Sequence, residues 1–283
     1  MLADQFVELR RHLPKDVYMG ENMVYADYHA QAITINGENS LHTLEYFAFH
    51  ILWISFMQKI TFALYRSDPN NVEIAFSNEG NILRALESAQ NLYDLSVINE
   101  KKLCDIAKHP IIGFHRNKID NLVDLINKRD HVAHCSGVLD LDKGDIVNLA
   151  NTCIRYTKEI DQKLEPQVVS SWGAFVSESH MSAAYSLFHD AVVEFLRQEC
   201  LSVSDIESIL NSPPLAGEIA KLDSIGRMHL ALIIEDYDIG TEVNAEYYKN
   251  IALSLVDSDD ERDLVQDESE AYVRFRVGLS TAR

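Results

Sequence analysis

One short run of the sequence, residues 126–137, sets an arginine, an aspartate and two histidines among apolar residues. Arg129, Asp130 and His134 are the side chains in this run whose types and spacing could do chemistry. Histidine exchanges a proton near neutral pH, and arginine neutralises the negative charge that builds on a reacting phosphate. An adjacent carboxylate can orient either group. These roles together describe the cleavage of RNA by its own 2′-hydroxyl, a reaction that needs no metal.

These three residues are predicted to lie late in a helix of about residues 114–135. With about 100° of rotation per residue, Arg129 falls near the middle of the apolar face, Asp130 lies within that face, and His134 lies at its edge. Charged groups on an apolar face are costly unless they are paired, hydrogen-bonded or turned toward a cleft. Two interpretations follow, namely a structural ion pair or interhelical network, and a functional site in a cleft between helices or subunits. The apolar residues on this face are Ile119, Leu122, Val123, Leu125, Ile126 and Ala133.

The run RDHVAH, residues 129–134, resembles the Arg, polar residue, x, x, x, His motif of HEPN domains. The alanine directly before the histidine, the late position in a helix and the preceding helical bundle all add to this resemblance. It covers about residues 40–164 and leaves both flanks unaccounted for. Many HEPN proteins are metal-independent endoribonucleases of toxin–antitoxin, phage-defence and CRISPR systems. Two copies typically pair so that both motifs line one cleft.

The resemblance implies that Arg129 and His134 are a catalytic pair. It makes Asp130 the polar residue after the arginine, where the family more often has asparagine. It further implies an RNA substrate, a homodimer, and an antitoxin or another regulatory protein as a partner. The alternative from a different class is a non-catalytic helical interaction or dimerisation module, in which Arg129 and Asp130 form a buried pair.

The composition indicates a globular protein built from helices. Apolar residues make up 47% of the 283-residue chain and charged residues 24%, which is ordinary for a protein with a core. Six prolines and eleven glycines are few, so an all-α class is predicted. We expect an N-terminal extension over residues 1–39, a HEPN-like bundle of four to five helices over residues 40–166, and a C-terminal helical domain over residues 167–283. The fifth helix should end before Pro166, and residues 257–270 should form an acidic linker that precedes a tail.

The formal net charge of −19 excludes a protein that binds nucleic acid over its whole surface. The segment of residues 101–134 differs from the rest, because it holds seven lysines and arginines against four aspartates. Arg116, Lys118 and Lys128 in this segment are the expected substrate contacts, so one face could meet a polyanion. A solvated charged face without a partner is the open alternative.

The cysteines and the N-terminus indicate a reducing cytoplasm. Four cysteines are widely spaced without a C-x-x-C pair, and the first residues lack the apolar run of a signal peptide. The most apolar segment, residues 44–65, contains Glu45, His50, Gln58 and Lys59. It is therefore interpreted as a buried core helix, and no membrane partner is expected. A membrane-associated helical protein built on this segment is the alternative.

Other patterns of chemical interest are weaker. His131, His134 and Cys135 lack a second cluster with zinc-ligand spacing, so no metal and no cofactor is expected. The common nucleotide-binding, hydrolase and zinc-protease motifs do not occur. Two alternatives stay open: His109 and His115 could contact phosphate from a surface turn, and His42 and Glu45 could meet the helix of Arg129 across the bundle.

Overall fold

The computed structural model describes residues 2–14, 42–77, 79–133, 143–179, 185–237 and 239–281. This part of the chain contains twelve α-helices, three 3-10 helices and no strand, so the predicted all-α class is confirmed. Contacts divide the chain into two compact units, Met1–Leu164 and Glu165–Arg283. The expected N-terminal extension falls largely on residues 15–41, which lie outside the described residues.

Each unit is built from helices that follow one another along the chain. The first unit contains α1 Ala3–Arg10, α2 His42–Ser67, α3 Pro69–Ala75, α4 Gly80–Ser88, α5 Glu100–Leu103, α6 Arg116–Ala133 and the first part of α7 Lys143–Ser179. The second unit contains the rest of α7 and α8 Tyr185–Gln198, α9 Val203–Asn211, α10 Ala220–Glu235, α11 Ala245–Leu255 and α12 Asp259–Thr281. The 3-10 helices are Leu92–Val97, Cys104–Lys108 and Gly217–Ile219.

Two predicted boundaries are wrong. Helix α7 does not end before Pro166 but continues through it to Ser179. A proline removes one backbone donor, yet buried residues such as Leu164 and Trp172 on either side hold the helix in place. The acidic segment of residues 257–270 is not a linker, because most of it is helical in α12. Val265 and Ser269 of this helix are buried while its acidic side chains lie mainly outside, so packing outweighs the charge.

Helix α2 is the centre of the first unit. Its aromatic and aliphatic side chains, among them Phe49, Trp53, Phe56 and Met57, are fully buried. Residues Tyr46–Ser67 have the length and composition of a membrane span, but 78% of their most apolar window is buried inside the protein. The helix is therefore a core helix of the first unit, as the polar residues in its sequence predict.

A buried ionic cluster attaches α1 to the first unit. His12, just after α1, bonds through Nδ1 to the carboxylate of Asp161 on α7, and its Nε2 lies 3.6 Å from Glu8. Glu8 also pairs with Lys158 at 2.7 Å. The nearby imidazole of His12 lowers the pKa of Glu8 to about 2, with Lys158 assisting against the effect of burial. Burial acts to lower the pKa of His12, but the bond to Asp161 and the nearby carboxylate of Glu8 outweigh it and raise that pKa.

We expect this cluster to contribute a pH-dependent part of the stability of the first unit. The raised pKa of His12 gives stability that is complete below the ordinary value of 6.5 and is lost as pH rises through the folded value. The lowered pKa of Glu8 gives stability that is present above 4.5 and is lost as pH falls toward 2. Both contributions are complete between pH 4.5 and pH 6.5, so His12→Gln should lower the free energy of unfolding most in this range. Urea unfolding at a series of pH values measures this. The exposed His115 provides the control, since His115→Gln should change stability little at any pH.

The second unit packs around a close approach between two helices. The ring of Trp172 on α7 lies against Gly226 on α10, where an added Cβ would come within 2.6 Å of the indole and 3.1 Å of Phe188. Glycine is therefore needed at this position for space rather than for backbone freedom. It allows the two helix backbones to come together over a fully buried tryptophan.

Gly226→Ala should lower the free energy of unfolding by about 1–3 kcal/mol, because overpacking at Trp172 outweighs the better helix propensity of alanine. Gly173→Ala on α7 is a matched control. The nearest atom to its new Cβ would be 3.8 Å away, an ordinary contact, so a gain of about 0.4–1 kcal/mol is expected. Chemical denaturation of both variants measures the difference, and equal stabilities would contradict the packing argument.

Candidate functional site

Helix α6 carries the predicted motif, and its described side chains face as the periodicity predicts. Ile119, Leu122, Leu125 and Ile126 are buried. Arg129 lies on the same side of the helix, one turn beyond Leu125, with its side chain 21% exposed. This face brings the guanidinium to the edge of the core of the first unit, beside the short helix α5.

The guanidinium of Arg129 belongs to a four-residue ionic network. Its Nη2 donates to Oε2 of Glu100, the first residue of α5, and its Nε lies 3.3 Å from Oδ1 of Asp130. The other carboxylate oxygen of Asp130 is 3.0 Å from Nζ of Lys101. Burial acts to raise the pKa of Asp130, but Lys101 and Arg129 together hold it below its usual value. Two acids and two bases make the network neutral overall.

Helix α2 supplies a layer of buried polar side chains beneath this network. Tyr46 and His50 are at most 1% exposed, and Nε2 of His50 lies 3.9 Å from Oε2 of Glu100. Burial, with a smaller effect from Arg129, lowers the pKa of His50 to about 3, so the imidazole is neutral at physiological pH. Burial likewise raises the pKa of the Tyr46 phenol. The Arg129 network therefore rests on uncharged groups.

Arg129 presents its two edges to different surroundings. Its Nη2 and Nε edge faces the carboxylates of Glu100 and Asp130. No side chain in the described part of the chain accepts a hydrogen bond from Nη1, and the side chain is partly exposed. An arginine that is paired on one edge, and whose other edge has no acceptor among the described side chains, has donors in a fixed position for a phosphate or another oxyanion.

The structure brings Arg129 and Asp130 together, as predicted. The third member of the predicted set, His134, lies outside the described residues, as does Cys135. His131 lies within α6, but its side chain is not described, and the same holds for His42 and Glu45 at the start of α2.

The three expected substrate contacts have different surroundings. Arg116 is 93% exposed and lies 3.9 Å from Asp120. Lys128 is exposed on the solvent side of α6. Lys118 already pairs with Glu159, and its ammonium sits 4.7 Å from the centre of the Phe114 ring. Arg116 and Lys128 are therefore available to a polyanion, whereas Lys118 would have to leave a partner.

The two histidines predicted on a surface turn and the buried cysteines lie outside the Arg129 network. His109 is not on a surface turn, because its side chain is fully buried with Nε2 3.4 Å from Asp68, whereas His115 is exposed. Cys104 and Cys153 are buried thiols. Burial raises the pKa of the Cys104 thiol to about 12 and raises that of Cys153 as well, so neither is an activated nucleophile. No group of described side chains could hold a metal ion.

The sequence reasoning missed Glu100, Lys101 and His50 as members of the site. Glu100 and Lys101 follow Asn99, which caps α5, and this position resembles any helix start. His50 stands in the most apolar stretch of the chain, which offers a weak signal of a polar group with a reason to be buried. Glu100 pairs with Arg129 and Lys101 pairs with Asp130 across about thirty residues, and His50 approaches Glu100 across fifty, so local periodicity could not find them.

Comparison of the chain with protein-family models, with curated proteins and with solved structures finds no match.

Proposed function

We propose that this protein is a metal-independent endoribonuclease of the HEPN type. The observation that supports it most is the guanidinium of Arg129, whose Nη2 and Nε edge is paired with two carboxylates and whose Nη1 has no acceptor among the described side chains. This group lies near the end of α6, five residues before His134. We propose further that the protein acts in the cytoplasm as a toxin or an antiviral defence effector.

The reaction assigns one role to each residue. His134 takes the proton of the RNA 2′-hydroxyl, and the 2′-oxygen then attacks the adjacent phosphorus. The N–H groups of Arg129 that face outward bind the non-bridging oxygens and stabilise the added negative charge. The bond from phosphorus to the 5′-oxygen breaks, and this oxygen takes up a proton. Asp130 orients Arg129, for which its 3.3 Å contact with Nε is suited.

The proposed assembly is a homodimer in which two copies of α6 line one cleft. A composite site of this kind supplies a second arginine for the phosphate and a second histidine, which can protonate the leaving oxygen. Arg116 and Lys128 would bind the RNA backbone on either side, since both are exposed. A regulatory protein such as an antitoxin would act by covering this cleft.

The test of this proposal is cleavage of RNA by the purified protein in the presence of EDTA. The products should carry 2′,3′-cyclic phosphate and 5′-hydroxyl ends, and gel filtration should give the mass of a dimer. Cleavage that stops on chelation, or ends with a 3′-hydroxyl, would contradict the proposed chemistry.

The second candidate is a helical interaction module without catalytic activity. The specific observation in its favour is that Arg129 and Asp130 both have ion-pair partners in their own chain, Glu100 and Lys101. In that case the network only fixes α5 against α6. A stable dimer that leaves RNA intact would favour this candidate.

A further inference from the structure

Beneath Arg129, helix α2 presents three polar aromatic side chains on one face. Tyr46, His50 and Trp53 are spaced by four and three residues, and all are at most 1% exposed. The ring centres of Tyr46 and His50 are 6.1 Å apart, and those of His50 and Trp53 are 5.4 Å apart. The ring planes are tilted by 56° and 55°, so the three rings form a continuous row of tilted contacts inside the first unit.

The polar atoms of these three side chains lack the hydrogen bonds that buried polar atoms usually have. The hydroxyl of Tyr46, both ring nitrogens of His50 and the indole nitrogen of Trp53 have no hydrogen-bond partner among the described residues. A buried polar atom without a partner costs about 1–3 kcal/mol, and native proteins retain few of them without a reason. Phenylalanine or leucine at position 50 would fill the core without that cost, so the imidazole calls for an explanation.

The explanation lies in the position of the His50 ring. Its Nε2 lies 3.9 Å from Oε2 of Glu100, too far for a hydrogen bond but close enough for a dipole to act on the carboxylate, and this same oxygen accepts the hydrogen bond from Arg129. The charged groups that act on His50 are Glu100, Arg129 and the more distant Asp130. Because the ionic network is already neutral, a charged imidazole would add repulsion against Arg129. A neutral ring with a proton on Nε2 instead directs an N–H dipole at the carboxylate, in a low dielectric where dipoles act strongly.

We propose that His50 is a positioning residue for the candidate site, which acts through Glu100 to fix the guanidinium of Arg129 for the phosphate. This inference rests on the proposed ribonuclease function. His50 is too deeply buried to touch RNA itself, so its effect on the rate is indirect. It holds Glu100 in place, and Glu100 holds the inner edge of Arg129.

The kinetic test compares His50→Phe with His50→Gln. The phenylalanine keeps the size of the ring and removes the donor, so kcat for RNA cleavage should fall about tenfold or more while KM changes little. A displacement of about 1 Å at a reacting group is enough to reduce a rate about 100-fold. Glutamine keeps a neutral N–H donor and should restore most of kcat. The shape of the pH–rate profile should be unchanged in both variants, because His50 carries no proton in the reaction.

His109→Phe is the matched control. His109 is another buried histidine of the same unit with a lowered pKa, and it faces Asp68 rather than the site. This variant should change the melting temperature but leave kcat as in the parent. The inference is overturned if His50→Phe cleaves as fast as the parent, if His50→Gln is as slow as His50→Phe, or if either variant loses one limb of the pH–rate profile.

A second measurement does not depend on cleavage. Heteronuclear NMR of the Arg129 guanidinium should resolve separate, slowly exchanging N–H signals in the parent and in His50→Gln, and averaged signals in His50→Phe. If the parent leaves RNA intact but the signals behave in this way, the ribonuclease proposal fails and the link from His50 to Arg129 stands. If the signals are the same in His50→Phe and in the parent, the link from His50 to Arg129 is disproved.

Discussion

If the protein is the ribonuclease proposed above, Arg129→Ala is expected to cleave RNA about 10²–10³-fold more slowly than the parent protein, the loss typical when one donor to a developing oxyanion is removed. The physical reason is that Nη1 of Arg129 supplies its donors at a place where two carboxylates have fixed the rest of the group. His134→Ala should show an equal or larger loss, because the proton of the 2′-hydroxyl then has no acceptor. The rates are measured in EDTA on a labelled RNA under single-turnover conditions.

Stability measurements separate this catalytic role from a structural one. The pair of Arg129 and Glu100 is partly exposed, at 21% and 34% for the two side chains, so its loss should lower the free energy of unfolding by only about 1 kcal/mol or less. Arg84 on α4 is an exposed arginine outside the site, and Arg84→Ala should change neither cleavage nor stability appreciably. A loss of several kcal/mol in Arg129→Ala with cleavage intact would show that Arg129 has a structural role and no catalytic one.

Asp223→Ala will destabilise the second unit by about 3–5 kcal/mol, the typical consequence of removing one partner of a buried ion pair. Asp223 on α10 is fully buried. It accepts hydrogen bonds from the indole of Trp172 at 2.7 Å, from the backbone of Leu215 at 2.9 Å and from Nε of Arg227 at 3.0 Å. Its loss leaves two buried donors and the part-buried N–H of Leu215 without an acceptor, and the charge of Arg227 without a counter-ion.

The other hydrogen bonds of Arg227 explain why its charge cannot find a new partner when Asp223 is removed. Its guanidinium donates to the carbonyls of Ile209 and Ser212 at 2.5 Å and 3.0 Å, so it completes the end of α9 and the loop that follows. Asp223→Ala and Arg227→Ala should therefore be strongly non-additive in a double-mutant cycle measured by urea unfolding. Asp263→Ala on the exposed side of α12 is the control and should stay within about 0.5 kcal/mol of the parent. A similarly small loss in Asp223→Ala would show that the network does not stabilise the unit.

Local patterns in the sequence were sufficient to predict the fold class and the side of α6 that is buried. The small number of prolines and glycines predicts helices, and the apolar spacing around Leu122 and Ile126 places Arg129 on the buried side. These features depend on residues within a turn or two of one another, where the geometry of a helix is known in advance.

The ends of helices could not be predicted from the local sequence, because they depend on contacts with residues far along the chain. Nothing near Pro166 indicates that α7 continues to Ser179, since proline usually ends a helix. The acidic residues 257–270 have the composition of a linker, but the burial of Val265 makes them part of a helix. In both places packing against residues far along the chain overrides the local preference.

The sequence by itself determined that Arg129 and Asp130 share the apolar face of a helix in an all-α protein. Only the tertiary structure decided what surrounds them, namely Glu100 and Lys101 on one side and the neutral His50 beneath. The reason is physical. A helical period relates residues a few positions apart, whereas charge pairing, desolvation and a lowered pKa arise from side chains that only folding brings within about 4 Å.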